Sequence, residues 1–191
     1  MVKQIRDTIN ILKTGGIAII PTDTAFALSC RIDNEKAVKR LFSIKQRSEQ
    51  QAVPILIDSI AMAGQYGEIS DEVKNVLKKY WPGALTIIVS ANESKIPSLV
   101  RGMGQTVGLR QPNHEMSLEI IKAVGVPLIG TSANFHGHKT PYAIEDIDAQ
   151  LIKKVDTVLS GNCLVPMVST ILDTTKTPWK IIRQGALHIS I

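Results

Sequence analysis

The stretch Ile17-Ala-Ile-Ile-Pro-Thr-Asp-Thr24 joins a short apolar run to an abruptly polar end. Its apolar residues predict a buried strand, which Pro21 ends. A second stretch, Val126-Pro-Leu-Ile-Gly-Thr-Ser-Ala-Asn134, has the same order, with hydroxyl and amide side chains after an apolar run. In an open α/β sheet, ligands bind outside the carboxyl ends of such strands. Both stretches therefore predict polar groups that face a ligand.

Residues two apart in an extended chain point to the same side. Thr22 is therefore expected to pair with Thr24, and Ser132 with Asn134, so that each pair presents two hydrogen-bonding groups to one ligand. A local alternative fits each segment at least as well, because Ser, Thr and Asn after a strand often cap a helix or hold a turn.

Apolar spacing predicts helices and strands around these two stretches. The predicted helices cover 2–12, 33–47, 70–80 and 118–124. The predicted strands cover 17–20, 53–57, 85–89, 106–110, 126–130, 157–159, 170–173 and 180–183. Helices and strands alternate early and strands cluster late, which predicts an α/β fold with a twisted, mixed parallel and antiparallel sheet flanked by helices. No repeat or linker interrupts the pattern, so we expect a single domain over 1–191.

The composition of the 191-residue chain predicts a globular protein with anionic partners. Hydrophobic residues make up 44%, enough for a sizeable core, and the net charge is +5. Aromatic residues make up only 4%, which leaves little material for a platform that stacks bases. No apolar run approaches the roughly 18 residues of a membrane span, and charges occupy the place of a signal peptide. With two cysteines at unpaired spacing, Cys30 and Cys163, we expect a cytoplasmic protein.

Several cations and one hydroxyl stand where elements end. Lys45 and Arg47 close the second predicted helix, and they can converge on a phosphate or carboxylate if that helix ends near Ile44. Arg110 and Arg183 end strands, and Ser169 precedes one. The alternatives are a solvated helix end for the first pair, surface salt bridges for the two strand-ending arginines, and a turn for the serine.

Common catalytic motifs are absent from the sequence. It has neither the phosphate loop of nucleotide hydrolases nor a nucleophile elbow. The glycines of 102–108 precede a predicted strand, so we interpret them as a flexible loop and not as a dinucleotide site. His136 and His138 lack nearby Cys, Asp or Glu, so no metal site is predicted.

Seven segments occur along the chain in one order: Pro21-Thr-Asp-Thr24 with Phe26 and Leu28, Lys45-x-Arg47, Trp81-Pro-Gly-Ala-Leu-Thr86, Val107-Gly-Leu-Arg110-x-Pro112, Thr131-Ser-Ala-Asn134, Ser169-Thr-Ile-Leu-Asp173 and Ile182-Arg-Gln-Gly185. This order resembles the YrdC family, the threonylcarbamoyl-AMP synthases. The resemblance extends from about Ile17 to Ala186, nearly the whole chain. Each segment alone is weak evidence, but seven in register make the match specific.

The resemblance implies a YrdC-like domain with a deep, basic cavity and a reaction that forms threonylcarbamoyl-AMP and pyrophosphate. The implied substrates are L-threonine, bicarbonate or CO2, and ATP, and Mg2+ is expected to arrive with ATP. Partner proteins would then place the threonylcarbamoyl group on the adenosine beside the tRNA anticodon. Binding of RNA by the chain itself is left open.

The resemblance also assigns roles to particular residues. Those that hold the nucleotide phosphate and the carbonate-derived group, and so act in catalysis, are Lys45, Arg47, Ser132 and Asn134. Further nucleotide-binding positions are Thr131, Ser169 and Arg183. The threonine site takes Thr22 and Arg110.

The sequence departs from the family pattern in four places. Ala27 replaces a common glycine, Ser48 a common proline, and His136 a common serine, and the stretch from Glu49 to Val53 is not the common one. The chain resembles the short, single-domain members. Two alternative functions remain: a non-catalytic module that binds double-stranded RNA or tRNA, and a carbamoyl-adenylate transferase like the related domain of hydrogenase-maturation proteins.

Overall fold

The structure, a computed structural model, describes residues 2–189. Its helices are α1 (Val2–Lys13), α2 (Glu35–Lys45), α3 (Ile60–Tyr66), α4 (Asp71–Tyr80), α5 (Glu115–Val124) and α6 (Ala149–Ile152), with a 3-10 turn at Ile144–Asp146. Its strands are β1 (Ala18–Ile20), β2 (Ala27–Ser29), β3 (Ile55–Leu56), β4 (Leu85–Ser90), β5 (Thr106–Arg110), β6 (Leu128–Ile129), β7 (Thr131–Ser132), β8 (Thr157–Val158), β9 (Thr170–Asp173) and β10 (Lys180–Arg183). Within this range, no helix has the length and apolar character that crossing a membrane requires.

The strands are divided between two mixed sheets. The small sheet has the strand order β7-β2-β1-β8, and the large sheet has the order β10-β9-β4-β5-β3-β6. Strand β1 runs antiparallel to β2 and parallel to β8, and β4 runs antiparallel to β5 and parallel to β9. The predicted α/β class, with mixed strands and flanking helices, is confirmed. The division into two sheets was not visible in the sequence.

The chain crosses from the large sheet to the small one at Gly130. Strand β6 ends just before this residue and β7 begins just after it. The Gly130 amide donates to the Pro54 carbonyl at 2.8 Å, and a Cβ at this position would lie 2.6 Å from Leu56 Cγ. A larger residue here would displace the buried Leu56 side chain, so glycine suits this close approach. The crossing brings Ser132 into register with Ala27 on β2.

Three local signals in the sequence are confirmed as helix ends. The Asn34 side chain accepts a hydrogen bond from the Ala37 amide at 3.0 Å, and the Ser70 hydroxyl accepts one from Val73 at 3.3 Å. These two N-caps start α2 and α4. Gly125 ends α5 with a φ of 81°, a conformation that favours glycine.

Four predicted strands are shorter in the structure, two of them by more than one residue. The strand predicted over 53–57 pairs only at Ile55–Leu56, and the one over 126–130 only at Leu128–Ile129. The sequence did not predict β2, β7, α3 or α6. Strand β2 is buried on both faces, so it lacks the alternation that marks a half-exposed strand. In the glycine-containing stretch 102–108, residues 102–105 form the predicted loop, whereas Gly108 lies within β5.

Candidate functional site

A cavity of about 300 Å³ opens between the two sheets. Its wall includes Ala27 and Ser132 from the small sheet and Thr86, Arg110 and Ile171 from the large one. Seven of the nine residues predicted for the site line it: Thr22, Arg47, Arg110, Thr131, Ser132, Ser169 and Arg183. The other two, Lys45 and Asn134, lie directly behind this wall. Residues far apart in the chain therefore meet at one place.

The turn after β1 carries the two threonine hydroxyls predicted to point the same way. The Oγ1 atoms of Thr22 and Thr24 are 3.3 Å apart, and both residues line the cavity. Thr22 Oγ1 also donates to the Ala25 carbonyl at 2.7 Å and accepts from the Thr24 and Ala25 amides at 3.2 Å. The local alternative is thus correct as well, because the Thr22 hydroxyl shapes the turn that forms the cavity wall.

Arg110, at the end of β5, is buried. Its Nε donates to the Gly83 carbonyl at 3.2 Å, one terminal nitrogen donates to Thr24 Oγ1 at 2.6 Å, and the other donates to Asp23 Oδ1 at 2.5 Å. The interpretation of Arg110 as a surface salt bridge is wrong. Burial lowers the pKa of the guanidinium, and the neighbouring carboxylate of Asp23 acts in the opposite direction.

Lys45, the last residue of α2, is 2% exposed and contacts the segment that follows β6. Its Nζ donates to the Ser132 carbonyl at 2.6 Å, to the Asn134 carbonyl at 3.0 Å and to Asn134 Oδ1 at 2.8 Å. The Ser132 hydroxyl donates to the same Oδ1 at 2.7 Å, so the predicted pairing of Ser132 with Asn134 is confirmed. An ammonium has three N–H groups, and all three are used here. In this structure Lys45 holds the loop of Ser132 and Asn134 in place.

The electrostatic environment of Lys45 is unusual for a lysine. Burial, and secondarily the positive charge of Arg47, lower the pKa of its side chain to about 7. The three oxygen acceptors around Nζ favour the charged form. The charged form of Lys45 is thus disfavoured by burial and favoured by hydrogen bonds, and these hydrogen bonds also fix one loop of the cavity.

Arg47 reaches the cavity because the chain reverses at Gln46. This residue ends α2 in a left-handed conformation with a φ of 56°. Arg47 Nε then donates to the Gln51 carbonyl at 3.1 Å, and a terminal nitrogen donates to the Ala52 carbonyl at 2.7 Å. Burial lowers the pKa of its guanidinium. Arg47 lines the cavity, whereas Lys45 Nζ lies behind its wall, so the convergence of the two cations on one anion stays a prediction.

On the opposite wall of the cavity, Arg183 is hydrogen-bonded to Ser169. Arg183, at the end of β10, donates from Nε and a terminal nitrogen to the Ser169 carbonyl at 3.0 and 2.8 Å, and from that terminal nitrogen to the Ser169 hydroxyl at 3.1 Å. The Ser169 hydroxyl also contacts Thr86 Oγ1 at 2.8 Å. Backbone pairing of β9 with both β4 and β10 aligns these side chains.

Sequence reasoning missed three residues that position this site: Asp23, Gly83 and Thr86. Each lies inside one of the seven segments that resemble the family. The spacing of residues, however, gave no indication that any of the three contacts Arg110 or Ser169. His136 and His138 follow Asn134; the His136 amide donates to the Lys45 carbonyl at 2.8 Å, and the His138 amide donates to the Phe135 carbonyl at 3.0 Å. Over residues 2–189, no group of three or more His, Cys, Asp or Glu side chains is placed to hold a metal ion.

Comparison with known proteins decides the family. The model of the Sua5/YciO/YrdC family, described as "Telomere recombination", matches residues 10–185. The chain belongs to the Sua5/YciO/YrdC family. A putative threonylcarbamoyl-AMP synthase of Methanocaldococcus jannaschii is 33% identical over 176 residues, which cover 92% of this chain and 82% of that protein. The resemblance drawn from the seven segments is therefore confirmed.

Two further matches come from Pyrococcus abyssi, one a curated protein and the other a solved structure. A threonylcarbamoyl-AMP synthase is 29% identical over 188 residues, which cover 97% of this chain and 55% of the relative. The crystal structure of P. abyssi Sua5 complexed with L-threonine superposes with a TM-score of 0.88 at 28% identity, covering 95% of this chain and 54% of the other. The chain thus spans just over half the length of each of these matches.

Proposed function

We propose that this chain is an L-threonylcarbamoyl-AMP synthase, a nucleotidyltransferase that converts L-threonine, bicarbonate or CO2, and ATP into threonylcarbamoyl-AMP and pyrophosphate. One observation carries the proposal above all others. Three arginines, Arg47, Arg110 and Arg183, line a single cavity whose wall, within residues 2–189, includes no Asp or Glu. Such a wall suits a ligand with several anionic groups, as a nucleotide and a carboxylate substrate together provide.

The amino-acid substrate is assigned to the end formed by Thr22, Thr24 and Arg110. The guanidinium of Arg110 has five N–H groups, three of which donate to protein oxygens. The remaining two suit an α-carboxylate, and the threonine hydroxyls of the turn offer polar contacts beside it. The crystal structure of P. abyssi Sua5, which has this fold, is a complex with L-threonine. That complex supports the choice of amino acid.

The nucleotide is assigned to the part of the cavity lined by Arg47, Thr131, Ser132, Ser169 and Arg183. Hydroxyls and guanidinium groups are the donors that proteins use for phosphate oxygens. Asn134 and Lys45 contribute by fixing the loop that carries the two hydroxyl residues. Mg2+ is proposed to arrive with ATP, bound to phosphate oxygens, since it prefers such partial coordination with substrate phosphates.

The proposed reaction needs positioned substrates more than a nucleophilic side chain. The threonine amine attacks CO2 and loses a proton, and an oxygen of the resulting carbamate attacks the α-phosphorus of ATP. The bond from that phosphorus to the bridging oxygen breaks, and pyrophosphate leaves. Rate acceleration comes from holding the reactants together and from stabilising the developing negative charge. Enclosure between two sheets protects the carbamate and the mixed anhydride from water.

The proposal also includes the fate of the product and the compartment in which the reaction takes place. The product would be passed to partner proteins that place the threonylcarbamoyl group on the adenosine beside the tRNA anticodon, in the cytoplasm. The two alternatives from the sequence, RNA binding without catalysis and carbamoyl-adenylate transfer, become outcomes of the test. RNA binding with a steep salt dependence and no release of pyrophosphate would favour the first.

The test is threonine-dependent release of pyrophosphate by the wild type and by Lys45→Ala and Arg47→Ala. Arg47→Ala is expected to slow release by roughly 10²–10³, the usual cost of removing one contact to transition-state charge. Lys45→Ala should also slow release, because it removes the hydrogen bonds that hold the loop of Ser132 and Asn134. Lys39→Ala, on the exposed face of α2, is the matched control and should keep the wild-type rate. Near-normal turnover in both site variants would remove these residues from the mechanism, and release without threonine would contradict the function.

A further inference from the structure

Asp23 is a buried carboxylate in the turn between the two threonines that line the cavity. Its side chain is 5% exposed, and its Oδ1 lies 2.5 Å from a terminal nitrogen of Arg110, whose side chain is 9% exposed. The residue is behind the cavity wall and is not part of its lining. Removing two charges this far from water costs free energy that a surface ion pair does not incur. A functional use of the pair would account for that cost.

Arg110 depends on its neighbours both for charge and for direction. Burial disfavours the charged guanidinium, whereas the carboxylate of Asp23 favours it. Contacts with Gly83, Thr24 and Asp23 fix the planar group along three different N–H bonds. One N–H group remains on each terminal nitrogen, and the orientation of both is set by these contacts. Asp23, together with Gly83 and Thr24, therefore sets the orientation in which the guanidinium presents its remaining N–H groups to a ligand.

We infer that Asp23 is a positioning residue for the amino-acid substrate, which it serves by holding the Arg110 guanidinium so that the two remaining N–H groups bind the substrate's α-carboxylate. This inference rests on the proposed function, because it takes the ligand at this end of the cavity to be an α-amino acid. Asp23 acts through Arg110 and does not itself touch the substrate. Its main chain has a separate role, since its carbonyl accepts from the Val165 amide at 2.7 Å.

The decisive variant is Asp23→Asn, which keeps the size of the side chain and the main-chain contact but removes the charge. The KM for L-threonine should rise roughly 30-fold or more, as when one member of a buried, hydrogen-bonded charge pair is lost. The KM for ATP and the kcat at saturating threonine should change little. Asp23→Glu restores the charge with a longer side chain and should give an intermediate KM for threonine. A merely structural role would lower kcat through the active fraction and leave both KM values unchanged.

Asp33→Asn provides the matched control, because Asp33 makes a similar ion pair with Arg31 at 2.7 Å on the exposed surface. Its kinetic constants should equal those of the wild type. An unchanged threonine KM in Asp23→Asn, beside an active wild type, would overturn the inference alone. A wild type that shows no threonine-dependent release would overturn the proposed function instead. If Asp23→Asn does not fold, Asp23→Glu decides: a raised threonine KM at constant ATP KM supports the inference, and a wild-type value contradicts it.

Discussion

Replacing Lys45 by Met tests the unusual environment of the buried ammonium. Methionine keeps the length and the apolar stem of lysine but removes three donors and one charge. The pKa of Lys45 is lowered from an ordinary 10.5 to about 7 in the folded protein. Between these two values the unfolded chain retains a proton that the folded chain has released. Raising the pH therefore penalises the unfolded state, and the wild type gains stability relative to Lys45→Met as the pH rises above 7.

The size of this gain follows from the two pKa values. Between pH 7 and pH 9, the difference in unfolding free energy between wild type and variant should grow by about 2 kcal/mol. Below pH 7 both states of the wild type carry the proton, and the difference should become nearly constant. The cause is the burial of Nζ beside Arg47, and the three oxygen acceptors around Nζ oppose it.

Urea unfolding at pH 6, 7, 8 and 9, followed by circular dichroism, measures these differences. Lys39→Met is the matched control, because Lys39 lies on the exposed face of the same helix, α2, and stays protonated in both states over this range. A difference that is the same at every pH would show that the pKa of Lys45 is not lowered, because a pKa at or above 10.5 leaves both states protonated throughout this range. That result would refute the reasoning.

Two further predictions concern glycines. Gly185→Ala should destabilise the protein by about 1–3 kcal/mol, as expected for overpacking, and should impair ATP use, because a Cβ there would lie 2.5 Å from the Ser169 carbonyl carbon. Urea unfolding and the KM for ATP measure both effects, and wild-type values would show that β9 tolerates the methyl group. Gly64→Ala should stabilise the protein by about 0.5–1 kcal/mol, since Gly64 lies within α3 and, apart from the backbone of that helix and the adjacent residues, no atom lies within 4 Å of the added Cβ. A lower midpoint of urea unfolding in this variant would contradict that expectation.

Much of the fold could be predicted because its longer elements carry local signals. Helices α2, α4 and α5 combine apolar spacing with caps at Asn34, Ser70 and Gly125, and β5 has the predicted bounds. Strands β2 and β7 carry no such signal. They are only three and two residues long, and they exist because long-range pairing aligns Ala27 with Ser132. The division into two sheets, which creates the cavity, follows from that pairing.

The sequence predicted which residues belong to the site better than it predicted the contacts between them. Spacing could pair Ser132 with Asn134, but it could not place Lys45 against them, since 89 positions separate the lysine from the asparagine. The order of the seven segments made that connection through resemblance. Neither the spacing of residues nor the family resemblance indicated which groups these side chains contact. Lys45 uses its donors on the protein, and Arg110 is held by a buried Asp23 in place of a surface partner.

The most direct test is mass spectrometry of the products formed from ATP, bicarbonate and one amino acid at a time. With L-threonine, the protein should generate threonylcarbamoyl-AMP and an equal amount of pyrophosphate, and the yield should depend on bicarbonate. Intact ATP after incubation with threonine, or an adenylate that lacks the carbamoyl group, would contradict the proposed synthesis.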